Sequence, residues 1–209
     1  MGFYQDRIFP WLCQKAVRDY DDERRAVFGS ASGRVLEIGF GLGTSFRFYT
    51  DSADEIVGLE YSASMLTKAE KELDELKANS ALSSKVILIK GSATNLDFPD
   101  ESFDTVVSFL VFCSVPDPEL AASEIYRVLK PNGKLHFFEH VLAADETLAK
   151  WQRRLNPFWK KIACGCNLTR DTKSLFLRAG FSFENFKEYV HENSMKISRQ
   201  KIQGIAVKS

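Results

Sequence analysis

Five short apolar runs punctuate the first two thirds of the chain, at residues 34–38 (RVLEI), 55–60 (EIVGLE), 85–90 (KVILIK), 103–110 (FDTVVSFL) and 134–140 (KLHFFEH). Runs of that length, rich in Val, Ile, Leu and Phe, predict strands. The segments between them follow another period. Residues 62–78 (SASMLTKAEKELDELKA) and 117–130 (DPELAASEIYRVLK) carry apolar positions at helical spacing, and Pro131-Asn132-Gly133 supplies residues that stop a helix. Alternation of this kind predicts an open α/β sheet of parallel strands joined by crossover helices.

After residue 140 the pattern changes. Residues 147–166 are aromatic and basic, residues 170–179 read as a helix stopped by Gly180, and two alternating runs follow, FENFKEYVHE and KIQGIAVKS. A turn containing Asn193-Ser194 is expected to join these two as an antiparallel hairpin. With no repeat, low-complexity tract or linker, residues 1–209 read as one domain. Its expected parts are an N-terminal helical cap (1–30), a ligand-binding core (34–141), a helical insert on the substrate side (142–180) and a C-terminal hairpin (181–209).

Composition narrows the partners. Lys+Arg and Asp+Glu number 28 each, so no net charge draws the chain to nucleic acid, and none is expected as a partner. The charged stretch RDYDDERR (18–25) reads as a solvated helix face. The longest nearly apolar run, Val106 to Val115, is about half of a membrane span. The N-terminus lacks a signal-peptide core, and Asp6 stands where an acylation motif beginning Met-Gly needs Ser or Thr. Cys13, Cys113, Cys164 and Cys166 form no spaced quartet of zinc ligands with the three histidines, so no metal is expected and Cys164 and Cys166 read as loop thiols. The expected compartment is a reducing cytoplasm.

The most specific stretch is VLEIGFGLGT (35–44), where the first strand runs into three alternating glycines. In an open parallel sheet the ligand sits beyond the carboxyl ends of the strands, and this loop stands there. Glycine lets backbone approach a ligand without a Cβ in the way. A dinucleotide fingerprint places its third glycine at 44, which is Thr44 here; the glycines fall at Gly39, Gly41 and Gly43. Glu37 would repel a pyrophosphate and attract an ammonium group. Glu60, at the end of the second strand, is placed to accept hydrogen bonds from both ribose hydroxyls. The loop therefore favours an amino-acid-bearing nucleoside over NAD.

VLEIGFGLGT, VGLEYSASMLTKA, KGSATNLDFPDESFDTVVSFLVFCSV and EIYRVLKPNGKLHFFEHV resemble, in order and spacing, the successive motifs of class I S-adenosylmethionine-dependent methyltransferases. The resemblance covers residues 34–141 and is nearest to the group containing the ubiquinone and menaquinone biosynthesis methyltransferases. The later stretch WQRRLNPFWKKIACGCNLTRDTKSLFLRAGF is similar to thiol methyltransferase-like proteins. The fold so implied is Rossmann-like and doubly wound, a mostly parallel seven-stranded sheet ending in the antiparallel hairpin. The implied cofactor is S-adenosylmethionine, leaving as S-adenosylhomocysteine. Gly39, Gly41 and Gly43 would pass beneath its methionine part, Glu37 would face its amino group, Glu60 would hold its ribose, and Tyr61 and Met65 would pack beside its adenosine. Where the family commonly has Gly-Asp-Ala after the third strand, this chain has Gly91-Ser92-Ala93, which leaves adenine to Ser92, Ala93 and backbone groups. Phe109 and Leu110 would flank the cofactor.

On the substrate side, Cys113 and Ser114 stand where many relatives carry histidines; Cys113 reads as an inert core thiol. His140 either takes a proton or is a hydrogen-bonded structural histidine. Trp151 and Trp159, with Phe158 and the N-terminal aromatics, either pack on the sheet or form a lid over an apolar acceptor or a membrane contact. The expected function is methyl transfer to a small acceptor, a thiol above a phenol or quinol. The competing readings are a cofactor-binding protein that transfers nothing and an NAD-dependent oxidoreductase.

Overall fold

The computed structural model describes residues 20–79, 82–163 and 165–209. The expectations for residues 1–19, including the N-terminal aromatics, and for Cys164 lie outside them. Seven strands form one sheet: β1 (Gly33–Ile38), β2 (Ala53–Glu60), β3 (Lys85–Lys90), β4 (Phe103–Phe109), β5 (Leu129–His140), β6 (Phe181–Val190) and β7 (Gln200–Lys208). Their order is β3-β2-β1-β4-β5-β7-β6. The first five run parallel, and β7 pairs antiparallel with both β5 and β6. The order reverses between β1 and β4, where such sheets bind ligands.

Helices cover both faces: α1 (Asp21–Phe28), α2 (Ala63–Ala78), α3 (Pro118–Val128), α4 (Glu146–Ile162) and α5 (Thr172–Arg178). Four begin at a side-chain cap, with Ser62, Asp117, Asp145 and Asp171 each accepting from a backbone N–H three residues on. Such a cap is worth about 1 kcal/mol. The strand period sorts the core. Leu36, Val106 and Phe137 pack with Ile125 and Phe176 on one face, while Val35, Val107 and Phe138 pack with Phe28 and Phe46 on the other.

Three expectations change. α3 ends at Val128, and Pro131-Asn132-Gly133 lies inside β5, where Asn132 has φ 61° and the pairing with β4 shifts register. A Pro-Asn-Gly turn serves a strand kink as readily as a helix stop. The hairpin forms with the expected turn at Asn193-Ser194, where the Ser194 N–H donates to the His191 carbonyl (3.1 Å), but the connection from β6 to β7 is longer and adds a 3-10 turn at Lys196–Ser198. The charged stretch is not wholly solvated. Arg24 is buried, stacks over Phe48 and Phe109, and reaches Thr44 Oγ1 at 3.5 Å.

Candidate functional site

The loop after β1 is shaped by its three glycines, with φ of 63° at Gly39, 62° at Gly41 and 77° at Gly43, where side chains are strained. Their surroundings differ. A Cβ on Gly39 would stand 2.7 Å from Val111, and one on Gly43 would stand 2.9 Å from Phe46 and 3.0 Å from Ala69. A Cβ on Gly41 would meet nothing within 4 Å. Gly43 thus lets the loop pack against α2, and Gly41 opens onto free space. The Gly41 N–H donates to Glu60 Oε2 (3.0 Å), and the Ser62 N–H donates to Oε1 (2.8 Å). Glu60 therefore ties the ends of β1 and β2 together; its burial pushes its pKa up, opposed by these bonds.

Glu37 lies deeper, 2% exposed, accepting from Ser45 Oγ (2.6 Å) and Tyr49 OH (3.0 Å). Burial pushes its pKa up to about 7, against the pull of those hydrogen bonds and of the Arg24 charge. Tyr61 is 68% exposed beside Glu60, and Met65 is half-buried on the first turn of α2. Ser92 turns its hydroxyl to Thr94 Oγ1 (2.8 Å), and Ala93 packs at the edge of the core. Phe109 stacks on Phe138, with centroids 4.7 Å apart, and touches Phe28 and Tyr20. Leu110 turns the chain out of β4 at φ 59°.

A second group gathers at the carboxyl ends of β4 and β5. Glu139 Oε1 accepts from Ser108 Oγ (2.8 Å) and from the N–H groups of Val111 (3.0 Å) and Phe112 (3.2 Å), fixing the loop that carries Cys113 and Ser114. His140 is buried, with Nε2 2.9 Å from Cys166 Sγ. Cys113, His140 and Cys166 place their ligand atoms within 4.8 Å of one another. The Cys113 thiol leans toward the Cys166 sulfur, which holds Cys113 well up and Cys166 down. Trp159 sits beside Cys166, its buried Nε1 closing no hydrogen bond of good geometry, and also lowers the Cys166 pKa. Trp151 is 52% exposed on α4, on one stripe with exposed Leu155 and Phe158. His136 is a buried structural residue whose ring lies 3.0 Å from the Val27 carbonyl.

Sequence reasoning passed over two members of this group. Lys201 stands opposite His140 across the β5–β7 pair, buried among Tyr20 and Phe138, with Nζ donating to the Ser198 carbonyl (2.6 Å). Burial lowers its pKa to about 8. Cys166 read as a loop thiol because its partners are distant in the chain.

These features fit S-adenosylmethionine: an open glycine backbone beside a carboxylate at the end of β2, with a second carboxylate beneath. The comparisons agree. A methyltransferase domain family matches residues 36–137. The thiol S-methyltransferase TMT1B of Rattus norvegicus is 36% identical over 188 residues, covering 86% of this chain and 75% of its own. A demethylmenaquinone methyltransferase of Renibacterium salmoninarum is 35% identical over 102 residues, covering 49% and 39%. The structure of an S-adenosylmethionine-dependent methyltransferase from Methanosarcina mazei superposes with a TM-score of 0.69 at 21% identity, over 87% of this chain and 94% of that one. The chain therefore belongs to the class I S-adenosylmethionine-dependent methyltransferases.

Proposed function

We propose that the enzyme methylates the sulfur of a small apolar thiol. The observation that carries this reading is the reach of the similarity. The match to the thiol S-methyltransferase spans 86% of the chain and so takes in residues outside the cofactor core, whereas the match to the menaquinone enzyme spans 49%. The chemistry of the substrate side agrees. A thiol of pKa about 8.5 is already a few per cent thiolate at neutral pH, while an alcohol or carbon acid needs a protein base. Glu139 has Oε1 held by three donors and His140 has Nε2 against Cys166, which leaves these two groups only the buried Oε2 and Nδ1.

Bound S-adenosylmethionine supplies a methyl group already activated on a sulfonium. The residues must hold and align it, with no covalent enzyme intermediate. In this reading Gly41 and its neighbours pass beneath the methionine part, Glu37 neutralises its ammonium, Glu60 takes the ribose hydroxyls in its remaining lone pairs, Tyr61 and Met65 cover the adenosine, and Ser92 and Ala93 border the adenine. The exposed Trp151, Leu155 and Phe158 cover the apolar acceptor. A second reading of that stripe, flanked by Lys150, Arg153, Arg154, Lys160 and Lys161, is peripheral membrane contact. No helix among the described residues is long and apolar enough to cross a membrane.

The test is turnover against thiols, phenols and quinols of matched bulk. Thiols are expected to lead in kcat/KM by at least tenfold; a phenol or quinol in first place overturns the reading. Co-sedimentation with anionic vesicles, lost in Phe158→Glu while soluble-thiol turnover holds, would decide for membrane contact.

A further inference from the structure

The substrate side holds one cluster of side chains that the methyl-donor cleft does not use. Cys113 comes from the loop after β4, His140 from the end of β5 and Cys166 from the loop after α4. Their ligand atoms lie within 4.8 Å of one another, with Cys113 and His140 buried and Cys166 half-buried. Both cysteines are free thiols. Hydrogen bonds tie the two cysteine-bearing loops to each other and to α4. The Asn167 N–H donates to the Cys113 carbonyl (2.7 Å), Arg170 Nη2 donates to the Val115 carbonyl (2.7 Å), and the Leu168 N–H donates to Asn156 Oδ1 of α4 (2.9 Å). With Glu139 fixing the loop two residues before Cys113, the cluster is held in place from every side.

A second observation is the set of buried polar atoms left over at this spot. His140 Nδ1 and Glu139 Oε2 are buried without a hydrogen-bond partner. Buried polar atoms in folded proteins nearly always have partners, so these exceptions mark the surroundings of the three ligand atoms as incompletely satisfied, although the ligand atoms themselves are others.

We propose that Cys113, His140 and Cys166 bind a zinc ion whose fourth position takes the sulfur of the methyl acceptor. Two thiolates and an imidazole with one position left open are a ligand set of catalytic zinc, and soft sulfur donors select it over magnesium or calcium. Ligation through His140 Nε2, which already faces Cys166 at 2.9 Å, leaves Nδ1 as the outer nitrogen, buried and free to take an outer partner. The two thiolates neutralise the ion, and Glu139 offsets the nearby Lys201 charge. The location is consistent with the chemistry. Val111, two residues before Cys113, fills the space over Gly39, so the cluster adjoins the glycine loop.

An acceptor thiol entering the fourth position releases its proton to solvent and binds as the thiolate. Its lone pair then forms the new sulfur–methyl bond, while the bond from the methyl carbon to the sulfonium breaks and leaves its electron pair on that sulfur. The products are a neutral thioether, a poor zinc ligand that departs, and S-adenosylhomocysteine. No oxidant or reductant is needed.

The fourth-position assignment rests on the thiol reading above; the ligand set does not. The test uses the full chain, stripped with a chelator and titrated with cobalt(II). One equivalent is expected to produce the intense visible bands of tetrahedral cobalt and sulfur-to-cobalt charge transfer. Cys166→Ser and His140→Ala should each lose at least tenfold in cobalt affinity while an unchanged affinity for S-adenosylhomocysteine reports an intact fold. Adding a thiol should deepen the charge-transfer band. Absent or octahedral cobalt binding, or equal binding by folded variants, overturns the metal site. A cobalt spectrum indifferent to thiol, or full thiol turnover after chelation, overturns the fourth-position assignment. Intact tetrahedral cobalt in an enzyme that methylates only phenols supports the ligand set and sinks the thiol acceptor instead.

Discussion

Glu37 offers a test in which stability and binding should move in opposite directions. Its carboxyl is 2% exposed and has its pKa pushed from 4.5 to about 7, chiefly by burial. At about 1.4 kcal/mol per pKa unit, keeping it ionised costs the fold about 3 kcal/mol. The folded pKa lies above the unfolded one, so the native state holds the proton more tightly. Wild-type stability should therefore fall as pH rises from 4.5 to 7, and the whole cost is present above 7. Glu37→Gln removes the charge and keeps the shape. Its amide oxygen can accept from one of Ser45 and Tyr49, and its NH2 can donate to the other once that hydroxyl turns. In denaturant titrations without cofactor, the variant should match wild type near pH 4.5 and exceed it by about 1–3 kcal/mol at pH 8. Calorimetry should show S-adenosylhomocysteine bound at least tenfold more weakly, because the ammonium has lost its counter-charge. A variant no more stable than wild type at pH 8, or one binding cofactor normally, refutes the reasoning.

Glu60→Ala should weaken S-adenosylhomocysteine binding at least tenfold in a folded protein, since hydrogen bonds to a charged group are worth about 1.5–3 kcal/mol each; unchanged affinity in calorimetry ends that assignment. Gly41→Val should abolish cofactor binding while retaining a cooperative melt, whereas Gly43→Ala should lower Tm because its Cβ meets Phe46 and Ala69; the reverse pattern would exchange the two roles. Lys201→Met should raise stability at pH 7 by about 1–3 kcal/mol, as the folded pKa of about 8 lies below the unfolded 10.5. That gain should shrink as pH climbs from 8 to 10.5, and a loss of stability at pH 7 would show that the Ser198 bond and the aromatic contacts outweigh burial.

The strands were legible because parallel strands buried on two faces must be apolar throughout. The run 103–110 overshoots the buried β4 by one residue, and 85–90 coincides with β3, an edge strand that is apolar although only half-buried. The glycine loop was legible in outline, but the sequence could not separate Gly41, open to ligand space, from Gly43, wedged against α2. Arg24 was misread through its charged neighbours, although Tyr20, Arg24, Val27 and Phe28 share one helical face, a spacing that could have flagged it. The grouping of Cys113, His140 and Cys166 was not legible at all. Local periodicity carries no information about contacts made by bringing the loops after β4 and α4 to the carboxyl end of β5, and Lys201 joins them only through its antiparallel register opposite His140.

The most direct measurement of the acceptor assignment is label balance. The enzyme is given S-adenosylmethionine carrying a deuterated methyl group, with an apolar thiol and a phenol of equal bulk in competition. Mass spectrometry is expected to find all three deuterons on the thioether, one mole for each mole of S-adenosylhomocysteine formed. Label on the phenol oxygen, or S-adenosylhomocysteine accumulating without matching thioether, would contradict a thiol methyltransferase.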